Sequence, residues 1–125
     1  MGIFADTEAA VAAVFLGAAG EAVQYRRGLA ALRLTAWRSP QPVVFGVDAG
    51  QGAVIQYQSW EWHLRAADLG SLKAPEPRDR IEAADGRVYE VLEVPGQACY
   101  HPGALLRIHT KFVDEEGAAP EQPGV

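Results

Sequence analysis

The chain of 125 residues carries one cysteine, Cys99. That excludes an internal disulfide and any cysteine-rich zinc site, and it fits a reducing compartment. No apolar run reaches the ~18 residues of a membrane span. The N-terminus lacks the basic stretch of a secretory leader, so the expectation is a cytosolic chain with no membrane partner. Lys and Arg number 11 against 16 Asp and Glu, for a net charge of −5. A general nucleic-acid binder needs clustered cations, and none are clustered here. Gly46 to Gly52 is glycine-rich but lacks the Gly-Lys-Ser/Thr ending of a phosphate loop. There is no Gly-x-Ser-x-Gly nucleophile elbow.

What is present is the composition of one globular domain, 49% apolar and 22% charged. Residues 5 to 18 read as a short helix, with Asp6 as N-cap and Glu8 in the first turn. Val11, Val14, Phe15 and Ala18 form an apolar stripe, which needs a sheet or a neighbouring subunit to rest on. Gly17 or Gly20 ends it. Ala22–Arg27 and Ala30–Trp37 alternate around Gly28 as a first hairpin. Residues 38 to 52, with Pro40, Pro42 and three glycines, read as a long connection containing at most a brief strand at Val43-Val44-Phe45. Its apolar residues Val43, Val44, Phe45 and Val47 call for a partner surface.

Ala53 to Arg65 is the longest strand candidate. Trp60, Trp62 and Leu64 share one face, and Ser59, Glu61, His63 and Arg65 the other. Adjacent Val54 and Ile55 suggest a bulge near Gln56 to Gln58. Pro75 and Pro77 mark an extended connector. Arg80-Ile81-Glu82, the Asp85-Gly86 turn and Arg87 to Val94 form a second hairpin. Leu105 to Val113 then alternates, with Leu106, Ile108 and Phe112 opposite Arg107, His109 and Lys111. Many short strands without βαβ alternation predict a mainly β fold: a small antiparallel β-barrel or sandwich with one short N-terminal α-helix and a long flexible loop. Residues 1–113 form that single domain. Residues 114–125, rich in Gly, Pro, Ala and Glu, are expected to be a disordered tail.

No constellation of residues here supports an enzyme. His63 and His109 fall on polar strand faces, which reads as solvated, and two cations flank His109, opposing a metal. Cys99 and His101 lack an orienting third group. A hydroxyl–His–carboxylate triad is left open by spacing alone. Trp60 and Trp62 at strand spacing read as core or interface before base-stacking platform. The Arg107-His109-Lys111 stripe reads first as a solvated outer face, next as a subunit contact, and last as a channel-facing ridge. No cofactor or metal is expected.

Several stretches carry a resemblance. Trp62-His63-Leu64-Arg65-Ala66-Ala67-Asp68-Leu69, Pro77-Arg78-Asp79-Arg80-Ile81-Glu82, Val88-Tyr89-Glu90-Val91-Leu92 and Leu106-Arg107-Ile108-His109-Thr110-Lys111 resemble the phage head–tail joining proteins. These are also called head-closure or stopper proteins, and include the tail-attachment proteins of lambda-like phages. The helix followed by a β-hairpin matches their layout, so the resemblance covers roughly residues 5 to 113. It implies a structural neck subunit of the virion, assembled in the host cytoplasm. It also implies a ring of six copies beneath the portal and adaptor, closing the DNA-filled head and docking the tail. No catalytic residue is carried over. The Pro95 to Gly103 segment departs from many relatives.

On that expectation Val11 and Phe15 of the helix, with Val43, Val44, Phe45 and Val47, bury against ring neighbours. Double-stranded DNA passes without sequence-specific contact, which suits an acidic chain. Two other classes stand beside this reading: a tail terminator or other neck ring subunit, and a small metal-dependent hydrolase.

Overall fold

A computed structural model describes residues 3–113, with side chains described from Ala10 onward. The expected tail at 114–125 lies outside the described residues. The chain begins with helix α1 (Ile3–Ala19), followed by strands β1 (Glu21–Arg27), β2 (Ala30–Arg38), β3 (Val43–Gly50) and β4 (Ala53–Leu64). A 3-10 segment (Ala66–Leu72) leads to β5 (Arg80–Glu82), β6 (Val88–Val91), β7 (Tyr100–His101) and β8 (Leu106–Val113).

Every strand pairing is antiparallel. β1 pairs with β2, β2 with β4, β4 with β8, β8 with β6, β6 with β5, and β5 with β1. That series returns to its first member, so six strands close on themselves. Each of the six has a partner on both sides, so closure joins the two edges that an open sheet would leave. Inside lie Tyr25, Trp62, Leu64, Ile81, Tyr89, Val91 and Ile108, all essentially inaccessible. The mainly β fold with one N-terminal helix is the architecture expected from the alternation pattern.

The helix begins at Ile3, so Asp6 lies within it and does not cap it. It stops at Gly20, whose N–H donates to the Leu16 carbonyl at 2.9 Å. A Cβ at Gly20 would sit 2.7 Å from both the Leu16 oxygen and Thr35 Cγ2, so only glycine lets the helix turn directly into β1. The face resting on the sheet is Ala12 and Leu16, both buried. Val11 and Val14 point elsewhere, and Phe15 lies at the margin of the docked face against Trp37 of β2.

The segment at 43–52 is a strand and a turn, where a long loop was expected. β3 pairs with the outer half of β4 from Val43↔Ser59 to Gly50↔Ala53. The register shift falls between Asp48 and Gly50, not near Gln56 to Gln58. Asp48 explains it, since its carboxylate accepts the Gly50 N–H at 2.8 Å and curls the tip locally. β3 and the first seven residues of β4 thus form a two-stranded arm standing off the ring. Proline and glycine content hid the strand; Pro40 and Pro42 precede it and Gly50 and Gly52 end it.

The arm folds back over the ring. Val47 packs with Leu92 and Val94, with Phe45 and Tyr57 beside them, as a second, smaller apolar cluster. It covers the supposedly solvated face of β4 and β8. Ser59, Glu61 and His109 are consequently buried, while Thr110 is buried on the opposite, inward face beside Trp60.

Candidate functional site

Among the described residues, exposed apolar side chains group on two elements, α1 and the arm. On α1, Val11 is 63% and Val14 72% exposed. Phe15 is 38% exposed and meets Trp37 edge-on with centroids 5.4 Å apart. On the arm, Val43, Val44, Val54 and Ile55 are all exposed. Opposed residues in a β-pair share a face, so Val44, Gly46, Asp48, Val54, Gln56 and Gln58 form the outward side. A Cβ at Gly46 would lie 2.8 Å from Val54 Cγ1, so glycine lets Val54 lie flat across the arm. The outer edge of β3 is unpaired, and its eight residues contain one charge, Asp48.

The expected contact residues therefore divide. Val11, Phe15 and Val44 are exposed on the outside, Val43 is exposed at the margin of the arm's inner side, and Phe45 on that side is half-buried against Tyr57 at 5.5 Å. Val47 is spent within the chain. Val14, Val54 and Ile55 join the surface in its place. The sequence signal for the last two was their adjacency, which breaks alternation because an arm clear of the core needs no buried face.

The Arg107-His109-Lys111 stripe is not one surface. Arg107 donates to Glu61 Oε2 at 3.0 Å, and Lys111 lies 3.9 Å from Glu90. His109 is 5% exposed, contrary to the solvated position expected for it. Its Nδ1 lies 3.0 Å from Ser59 Oγ and its Nε2 2.9 Å from His101 Nε2. Phe45 covers its ring at 4.7 Å. Burial pushes the His109 imidazole below its ordinary range, and His101 adds to the shift. Burial likewise lowers His63, which sits half-buried against Trp37 at 5.0 Å.

Ser59, His109 and Glu61 do not make a hydrolytic triad. Ser59 and Glu61 both approach the same imidazole nitrogen, Nδ1, so no proton relay through the ring connects them. Ser59 is also wholly buried. Cys99 is buried, its thiol pushed up by desolvation and donating to the Pro75 carbonyl at 3.7 Å, the opposite of an activated nucleophile. Among the described residues, no three His, Cys, Asp or Glu side chains gather as metal ligands. Trp62 is core, and Trp60 lies beneath the Arg38 guanidinium at 4.7 Å.

What the geometry offers is contact surface. A model of the family described as phage head-tail joining protein matches residues 1–117. This chain belongs to that family. No curated protein matches it. The head–tail joining protein is a structural component of the phage particle, located at the neck and in contact with head and tail components.

Proposed function

We propose that this head–tail joining protein is the head-closure, or stopper, subunit. Six copies form a ring between the portal–adaptor complex and the tail, retain the packaged DNA and present the tail-docking surface. The observation that carries this reading is the pair of uncovered apolar surfaces on separate elements. Closed cyclic rings use heterologous contacts, in which one patch meets a different patch of the next copy. Val11, Val14 and Phe15 supply one, and Val43, Val44 and Val54 the other. The arm patch carries one charge, Asp48 at its tip opposite Val54, and its centre is uncharged, as the centres of protein interfaces tend to be.

Charge supports passive passage of DNA. Seven of the eleven Lys and Arg residues are engaged in ion pairs. Little free positive charge is left to hold phosphate, so a duplex would slide through with weak attraction.

Cryo-electron microscopy of purified particles tests the proposal. A ring of this chain between portal and tail, with residues 43–58 ordered against a neighbour, is the expected result. Density at the distal end of the neck, capping the tail tube, would replace it with a tail-terminator role. Absence from the particle would overturn both.

A further inference from the structure

The His101–His109 pair lies where the arm meets the ring. His101 comes from β7, the two-residue strand at the end of the sheet away from β3, and His109 from the middle of β8. Their Nε2 atoms face each other at 2.9 Å. The His109 ring is also the surface on which the arm rests, through Phe45 at 4.7 Å and the Ser59 hydroxyl at 3.0 Å. Ser59 is the arm's root, paired with Val43.

Two facing nitrogens at this distance hold one proton between them. Two neutral imidazoles satisfy that, and so does one imidazolium bonded to one neutral ring. A second added proton sets N–H against N–H and places two cations in contact. The other ionisable groups facing the pair are Glu61 from β4 and Arg107 from β8, and they already neutralise one another at 3.0 Å. The remaining neighbours, Ser59 and Phe45, carry no charge. Among the described residues no further counter-charge faces the second proton.

We infer that His101 and His109 form a proton-operated latch for the β3–β4 arm. With at most one added proton the arm lies closed on the ring; the second proton opens it. Opening lifts Phe45 and Ser59 off the His109 ring, so that water reaches the two imidazoles and lets them move apart, and it uncovers Phe45, Val47 and Tyr57. Among the described residues the arm's other anchor is the small cluster of Val47 with Leu92 and Val94. An arm held by so few apolar contacts opens at low cost. The latch does not depend on the stopper reading, because it operates within one chain.

Hydrogen-exchange mass spectrometry of the full chain tests the latch, from about pH 7.5 to about pH 5 with intrinsic exchange normalised. Peptides covering 43–58 should lose protection by up to about tenfold per pH unit for one proton taken up on opening. Peptides from β1 and β2 should hold theirs. His101→Gln, which keeps a hydrogen-bonding side chain but cannot be protonated, should abolish the acid response. Arg107→Gln separates this from simple destabilisation. It removes a cation from the closed state and frees Glu61 for His109, so opening should move to lower pH, whereas a merely weakened fold would open at higher pH. Uniform loss across arm and ring, an unchanged response in His101→Gln, or a shift to higher pH in Arg107→Gln would each overturn the inference.

Discussion

The Tyr25 hydroxyl donates to Asp79 Oδ2 across 54 residues of sequence, inside the protein. Arg27 closes on the same carboxylate with Nε at 2.9 Å and a terminal nitrogen at 2.8 Å, and also donates to the Leu72 and Ala74 carbonyls. The Glu76 N–H adds a further bond to Oδ2 at 2.9 Å. One buried carboxylate thus ties β1 to the proline-containing connector that leads into β5.

Burial first, and the Asp79 acceptor second, hold the Tyr25 hydroxyl far above its ordinary value of 10.0. A group whose folded affinity for its proton is raised stabilises the fold fully below its unfolded value and loses that contribution as pH rises. Stability in guanidinium should therefore fall above about pH 10 in the parent chain. Tyr25→Phe should show a shallower alkaline decline, at a cost of roughly 0.5–1.5 kcal/mol near neutrality for one hydrogen bond lost from Asp79 Oδ2, which keeps its bonds from Arg27 and the Glu76 N–H. Equal alkaline slopes for the two proteins would count against this account.

Asp79→Asn should be much more damaging than removal of a surface charge. It leaves the Arg27 guanidinium facing a neutral amide in a mostly buried site, a loss of roughly 3 kcal/mol or more. Glu93, which pairs with Arg78 at 2.9 Å with both side chains about seventy per cent exposed, is the control. Glu93→Gln should change stability by less than roughly 1 kcal/mol. Urea midpoints of the two variants decide the comparison.

Gly20→Ala should cost roughly 1–3 kcal/mol, as overpacking typically does. The added methyl meets a backbone oxygen and the branched Thr35 side chain, neither of which can rotate away. Because α1 touches the ring chiefly through β2, the strain should show first as helix detachment. Far-ultraviolet circular dichroism should report early helix loss on heating, ahead of the near-ultraviolet signal from Trp62. A single coincident transition at the parent temperature would refute it.

Strand alternation made the ring legible. Tyr25, Leu34, Leu64, Ile81 and Ile108 all fall on the inward period of their strands, and the Asp85-Gly86 turn stands between β5 and β6. The arm was hidden because its strands have little to bury, so period-2 patterning weakens from Val43 to Gln58 and glycine content suggests a loop. His109 was misplaced for a related reason. Periodicity reports which side of a strand a residue occupies, not whether a second layer of the same chain covers that side. Asp79 gave no signal at all, since a lone acid between Arg78 and Arg80 in a connector resembles any solvated charge.

The α1 face separates stability from assembly. Leu16 is 3% exposed and Val14 72%, two residues apart on one helix. Leu16→Ala should cost roughly 2–5 kcal/mol in the isolated chain. Val14→Lys should leave its unfolding midpoint within roughly 0.5 kcal/mol, because the side chain touches little that is folded. If the helix face meets a neighbour in the ring, Val14→Lys should nevertheless sharply reduce incorporation of the chain into particles, as should Val44→Lys on the arm. Each would place a charged ammonium in a contact that has no acid to meet it. Quantifying the chain in purified particles by mass spectrometry, beside chemical denaturation of the free protein, reads both quantities. Normal incorporation of both lysine variants would mean that these surfaces face solvent in the neck, and the ring contacts would then have to be sought on the charged outer faces of β1 and β5.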